Sequence, residues 1–398
     1  MSYFHLNFIL KGKLTVCCLL MLSAMPLNAQ REAKQIGDFK ESISLNEHLR
    51  GTKRTLQYRP DGDEFVCVNG KNRYTRALYG SHSPFRVETS DRPVFAFYNN
   101  GRGGNISFKV ILRDGTELAL DCTGHCESRY SAGKRTYYLT DPSWGKGELR
   151  ISVLALADMD GAIWRFSPSN MPKGAILRWQ HGGATGKRLS RNGDMGVDPA
   201  DCFELPVEAT DLVTGELPLQ KEVYLVRGEV PEDYNVRKLY QQAEAASLAL
   251  ASHLKIETPD PYLNTLGGAL VAAADGIWDG QVWLHGAIGW RMPLSGWRAG
   301  YTGDALGWHD RARTHFDAYA ASQVTDVPNT IPHPAQDSTM NLARSEKRWG
   351  TPQYSNGYIC RNPERNNQMH HYDMNLCYMD ELLWHFNWTG DTAYVRKM

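Results

Sequence analysis

EDYNVRKLYQQAEAASLALASHLKIE, residues 232 to 257, is where the hydrophobic period of this chain changes. Val236, Leu239, Tyr240, Ala243, Ala246, Leu250 and Leu254 recur every three or four residues, so the stretch is predicted to be one amphipathic helix, with the role of a connector. The residues before it have a different rhythm. From about Gln57 to Val230, short β-branched and aromatic runs (FVCVNG, VFAFYNN, ISFKVILRDGTELAL, RTYYLTD, LRISVLALADMDGAIWRFSP, EVYLVRG) alternate with turn signals. Asp114-Gly115 and Asp160-Gly161 each separate two such runs, a strong hairpin signal. Many strands with almost no helical period imply an antiparallel β-sandwich. Asp158 and Asp160 could also be calcium ligands, but turn chemistry alone explains them.

After the connector the period stays helical. Asp260 can cap and Pro261 can open a second helix carrying Leu263, Leu266, Leu270 and Ala274 on one side. DMNLCYMDELLWHF, residues 373 to 386, is apolar around most of its circumference, as suits a helix inside a helical domain. Asp391 opens a further helical pattern just before the sequence stops at Met398, so the helical domain is expected to be truncated. The expected fold class is therefore multidomain α+β. It comprises a signal peptide over 1–29, a β-sandwich over 30–231, a linker helix over 232–258 and the start of a helical domain over 259–398.

The signal peptide rests on Lys11 and Lys13 ahead of the apolar run Leu14 to Leu27, with Ala29 at the cleavage point. Cys17 and Cys18 lie within that run, which favours ordinary cleavage over a lipid anchor. The run is shorter than the roughly 20 residues of a spanning helix. An exported protein without a membrane span is expected, periplasmic or secreted. Six of the eight cysteines lie beyond the signal, too few for a disulfide-built scaffold in a chain of 398 residues. Cys122, His125 and Cys126 are read as a turn with a small disulfide or free thiols in preference to zinc. Lysine plus arginine balance aspartate plus glutamate at 44 each, and no basic block favours nucleic acid.

Eight of the eleven tryptophans fall between Trp278 and Trp388, and the densest polar-aromatic stretch is WRMPLSGWRAGYTGDALGWHDRARTHFDAY, residues 290 to 319. Sugars present flat apolar faces ringed by hydroxyls, so aromatic platforms interleaved with charged and amide-type side chains suit them. Trp290, Trp297, Tyr301 and Trp308 are candidate platforms; Arg291, Arg298, Asp304, His309 and Asp310 are candidate polar partners. The bland alternative packs these tryptophans between helices and pairs Arg298 and Arg311 with Asp304 and Asp310. No cofactor and no metal is expected.

PLSGWRAGYTGDA, residues 293 to 305, resembles the stretch of bacterial alpha-L-rhamnosidases in which a basic residue and a glycine-aromatic pair precede Gly-Asp-Ala. Arg298, Gly300, Tyr301, Gly303, Asp304 and Ala305 match it. HHYDMNLCYMDELLWHFNWTGDTAYVRKM is similar to the helix, Thr-Gly-Asp turn and next helix of such proteins. The resemblance implies an (α/α)6 toroid of six helical hairpins preceded by β-sandwich domains, as in exported plant-polysaccharide-degrading proteins of Bacteroidetes type. It also implies that inner-helix starts face the sugar, which would bring His370, His371, Tyr372 and Asp373 to the pocket. The family's acid glutamate immediately precedes the matching arginine, and here that position is Trp297. Rhamnosidase chemistry is therefore not carried over.

Glycoside hydrolysis needs one carboxylic acid for the leaving oxygen and one carboxylate for water or the sugar. Asp304 and Asp310 are the candidate catalytic carboxylates, and the resemblance implies inversion; Asp373 and Glu381 are second choices, since Asp373 can cap its helix and Glu381 can pair with His385 one turn on. Two other readings stay open: a non-catalytic carbohydrate-binding toroid, and a polysaccharide lyase using Tyr301, His309, Arg298 and Tyr372.

Overall fold

The computed structural model describes residues 57–71, 74–99, 102–188, 212–286, 300–323 and 372–398, with the isolated positions 293, 325, 357, 359 and 363. The signal peptide, Trp290, Arg291, Trp297, Arg298, His370 and His371, together with Cys202 and Cys360, lie outside the described residues, and Tyr372 and Asp373 are described in backbone only. Tyr58–Met398 is one compact unit.

Alternating apolar residues form two antiparallel seven-stranded sheets, a mixed α+β architecture once the helices are added. The first sheet runs, from edge to edge, through β1 (Arg59–Asp61), β2 (Glu64–Val68), β8 (His125–Ser131), β9 (Lys134–Thr140), β10 (Glu148–Ala155), β11 (Gly161–Ser169) and β14 (Val223–Gly228). The second runs through β13 (Val213–Pro218), β12 (Ile176–Arg188), β6 (Arg102–Ile111), β5 (Phe95–Asn99), β4 (Arg86–Ser90) and β3 (Tyr74–Leu78), with β7 (Glu117–Ala119) paired to β6. Asp114-Gly115 turns β6 into β7, with Gly115 at φ +88°, and Asp160 stands in the turn from β10 into β11. Asp160 accepts hydrogen bonds from Ser81 Oγ at 2.8 Å and from Ser83 Oγ, so its partners here are hydroxyls of the β3–β4 loop.

The inner faces meet through aromatic rings. Trp164 of β11 stands edge-on to Phe95 and Phe97 of β5, with centroids 5.6 and 5.7 Å apart, and Phe95 meets Tyr137 at 5.7 Å. Successive residues of one strand serve different layers, as the period of two requires. Val153 and Trp164 face the sandwich core, whereas Leu154 and Ile163 face outward under α1 (Val236–Ala251), against Leu239, Tyr240 and Ala243. The connector helix is thus the lid on the outer face of the first sheet. Its start is capped by Asn235, whose Oδ1 accepts from Lys238 N–H at 3.1 Å. Cys126 is a free thiol buried in the sandwich core, pushed up to about 12 by burial, and Cys122 is free and exposed.

α2 (Pro261–Gly276) begins as read, with Asp260 Oδ1 accepting from Tyr262 N–H at 2.8 Å. Its buried face agrees with the reading at Ala274, which is buried, and at Leu266, which packs on the sandwich core, and departs from it at Leu263 and Leu270. Leu263 and Leu270 are exposed, while Thr265, Gly267, Val271, Ala272 and Ala274 are buried. The reason is close approach: a side chain at Gly267 would meet the Leu254 carbonyl oxygen, and one at Gly268 would crowd Ala132 and Ala251. The helix turns its small-residue side inward so that backbones can touch.

The sandwich is tied to the helical segment at the end of α2. Arg86 Nη2 donates to the Gly276 carbonyl at 2.7 Å, and Gly276 packs closely against the Tyr79 ring. Beyond this joint a second apolar core forms from Trp278, Val282, Trp283 and Leu284 with residues of α4 (His309–Ala320), α5 (Tyr372–Thr389) and α6 (Thr392–Lys397). α5 is apolar nearly all round, as expected, yet only the stripe Tyr378, Glu381, Leu382 and His385 is buried among its described side chains. Leu376, Met379, Leu383, Trp384 and Trp388 are exposed. Among the described residues, no helix is long and apolar enough to cross a membrane.

Candidate functional site

The Tyr-Thr-Gly-Asp-Ala run singled out in the sequence is the five-residue helix α3 (Tyr301–Ala305). Two glycines set its position. A Cβ on Gly300 would collide with the Glu381 carboxylate of α5, and a Cβ on Gly303 would collide with the Trp283 ring. Trp283 is held in turn by its backbone N–H, which donates to His315 Nδ1 at 3.2 Å. Burial pushes His315 down to about 3, so it is a neutral acceptor. Gly307 at φ +72° then reverses the chain into α4.

This packing buries Asp304, 3% exposed, under two imidazoles. His309 Nδ1, at the first residue of α4, lies 2.7 Å from Asp304 Oδ1. His385 Nδ1, from the buried stripe of α5, lies 2.9 Å from both Asp304 oxygens. His385 is fixed edge-on between Phe316 (5.7 Å) and Tyr394 (5.5 Å). Nδ1 of His385 is thus engaged by Asp304.

His309 is 38% exposed and forms part of the wall of an open cleft of about 880 Å³ between the start of α4 and the end of α5. The cleft is lined by Gly307, Trp308, His309, Asp310, Arg311, Arg313, Trp388, Thr389 and Asp391. Asp304 lies behind this wall. Asp310 is on it, 93% exposed, paired with Arg313 Nη2 at 2.5 Å; the other arm of Arg313 reaches Asp391 at 3.4 Å. Asp391 also caps α6 through Tyr394 N–H at 2.9 Å. Trp308 stacks on His253 (centroids 5.2 Å apart, planes 27°) and carries the Arg311 guanidinium 4.4 Å from its centroid. Arg311 continues to Asp275 at 2.7 Å, which His82 of the β3–β4 loop also meets at 3.1 Å. Burial raises the Asp275 carboxyl, but the hydrogen bonds from His82 and Arg311 outweigh it and hold the group below the usual carboxylate range. One wall of the cleft is therefore anchored to the sandwich.

Tyr301 stands apart. Its hydroxyl donates to Asp380, and desolvation, then that carboxylate, push the phenol well above its ordinary value, so it keeps its proton. Of the residues singled out in the sequence, the structure brings Trp308, His309 and Asp310 to the cleft with Asp304 just behind; Tyr301 faces α5 instead. Asp373 lies in the first turn of α5. Arg313 and Trp388 were not picked out from the sequence, where His385 figured only as a partner for Glu381. The available signal was the position of His385 one turn after Glu381, within a helix whose other residues are mostly apolar.

Comparison with known proteins adds little chemistry. Residues 100–229, from between β5 and β6 to the end of β14, match a family described as Domain of unknown function (DUF4450). No curated protein matches. Among solved structures, a bacterial glucoamylase complexed with acarbose is similar at 9% identity and a TM-score of 0.41, over 65% of this chain. This chain spans 55% of that one.

Proposed function

We propose that this chain belongs to an exported, six-hairpin glycoside hydrolase that acts by inversion on a plant-type polysaccharide or oligosaccharide. The observation that carries the reading is the open cleft at the start of α4. It sets two tryptophans, Trp308 and Trp388, among Asp310, Asp391, Arg311, Arg313 and His309, the combination of flat apolar faces and directional polar groups that a pyranose ring requires. Asp310 is the carboxylate placed to meet substrate. Asp304 acts through His309, as a positioning residue that orients the imidazole. The toroid layout and the export signal of this proposal rest on the sequence resemblance and on the N-terminal apolar run.

A glycosidase of this kind protonates the leaving oxygen with one carboxylic acid while a second carboxylate activates water on the opposite face of the sugar. Full-length protein incubated with pectic and hemicellulosic glycans is expected to release reducing sugar, and Asp310→Asn to lower turnover by about 10²-fold or more. Absence of release from the whole panel would overturn the proposal.

One observation favours a second reading, glycan binding without turnover. Asp310 and Asp391 both engage Arg313, and Asp304 is sealed behind the wall, so each carboxylate near the cleft already has a cationic or imidazole partner. A general acid must instead hold a proton in a setting that disfavours its charge. Saturable affinity with no product distinguishes this reading from the first.

A further inference from the structure

We propose that Asp304, His309 and His385 form a site for a divalent transition-metal ion of the zinc class, with an open coordination position toward the cleft. These three are a cluster in which one ligand atom from each residue lies within 4.8 Å of the others, contributed by three different helices, α3, α4 and α5. Two imidazoles and one carboxylate are a donor set zinc uses with three protein ligands and an exchangeable fourth.

Burial supports the assignment. Asp304 and His385 are 3% and 0% exposed, within a core otherwise built of Trp283, Phe316, Tyr378, Leu382 and Tyr394. A buried carboxylate beside two imidazoles is costly in apolar surroundings unless it is paired or bound to a metal. His309 supplies the route in, since it is 38% exposed and lines the cleft.

Without an ion the trio is an N–H···O clamp, at 2.7 and 2.9 Å. A metal about 2.0–2.1 Å from each atom in tetrahedral geometry separates the ligand atoms by roughly 3.3 Å. The two Asp304–imidazole distances must open by about half an ångström, and the two imidazole ligand atoms, which lie within 4.8 Å of each other, must settle at that same spacing, a movement open to the half-exposed His309 while His385 is held between its rings.

The test is a titration of chelator-treated full-length protein with cobalt(II), then with zinc(II), read by the visible ligand-field bands of cobalt and by the shift in melting temperature. One equivalent is expected to bind and to raise the melting temperature. His309→Ala, at a half-exposed position, is expected to weaken affinity about 100-fold or more with its circular dichroism unchanged, and Asp304→Asn to do likewise. Asp310→Asn, on the cleft but outside the cluster, is expected to leave binding unchanged. A folded wild-type protein that takes up no cobalt or zinc at one equivalent, or a His309→Ala variant that binds as tightly as wild type, overturns the proposal. Glycan affinity is read separately, so failure of either proposal is visible without the other.

Discussion

In the sandwich, buried polar side chains spend their hydrogen bonds largely on backbone. Arg86 donates to the carbonyls of Ser83, Phe85 and Gly276, and Tyr137 Oη and Arg135 Nη2 both donate to the carbonyl of Ser90. In the helical segment buried His315 and Ser322 likewise bond backbone, but buried Asp304 and His385 meet each other. His309 and His385 converge on Asp304, next to an open cleft. The first pattern fixes strands and joints, and any residue of the right shape and donor count would serve it. The second concentrates ionisable side chains at one point beside solvent, which is what binding or chemistry requires and what a core alone does not.

Substitutions probe that contrast. Trp164→Ala removes the ring on which both sheets close and is expected to cost about 3–5 kcal/mol in denaturant unfolding, with the sandwich losing cooperativity. Little loss there would mean that the two sheets are not held by their aromatic contacts. Gly303→Ala drives a methyl group into Trp283 and is expected to cost about 1–3 kcal/mol. It should disturb the helical segment selectively, weakening glycan affinity while sandwich amides keep their exchange protection. Gly307→Ala meets open space but a positive φ, so it should cost less, about 1 kcal/mol. An equal cost for the two glycines would contradict the packing assigned to Trp283.

The two regions also carry opposite pH dependences. Burial pushes Glu88 on β4 up to about 7 against the pull of Arg86, so its contribution is full below the unfolded carboxyl value near 4.5 and is lost as pH rises through 7. His315 in the helical core is pushed down to about 3 by burial. Its unfolded form takes a proton below about 6.5 that the folded form refuses, so stability there falls as pH drops from 6.5 toward 3. Exchange protection, corrected for intrinsic rates and compared at about pH 7 and 4.5, is expected to fall in α4 and rise in β4 on acidification. Glu88→Gln and His315→Gln should each flatten the slope of their own region. Parallel slopes that survive both substitutions would contradict the assignment.

Much of the strand pattern was legible because a period of two and Asp-Gly turns are local signals, and the β6–β7 and β10–β11 hairpins stand where they pointed. α1 was legible for the same reason, its face set by Leu239, Tyr240 and Ala243, although Ala246 is exposed and Leu254 lies beyond the helix end at Ala251. The face of α2 was legible only in part, at Leu266 and Ala274. Gly267 and Gly268 bury the helix by letting backbone approach, a reason invisible to a count of large apolar residues, which pointed to the exposed Leu263 and Leu270. At the site, Asp304, His309 and Trp308 stood out within one short stretch. His385 lies 81 residues beyond Asp304, and Trp388 follows it on a helix whose apolar residues surround it and mask which side is buried. Their meeting with α3 and α4 depends on tertiary packing around Trp283 and Phe316, which no local pattern encodes.

The proposed function places a saccharide in the cleft between α4 and the end of α5, against Trp388. Trp388 is 56% exposed, so Trp388→Ala should leave folding intact. Calorimetric titration of wild type and this variant with oligosaccharides from pectic and hemicellulosic glycans tests the placement without relying on turnover. Saturable binding by the wild type, weakened about tenfold or more in the variant, is the result expected from losing one aromatic platform. Equal affinity in the two proteins would put the sugar elsewhere and refute this assignment of the cleft.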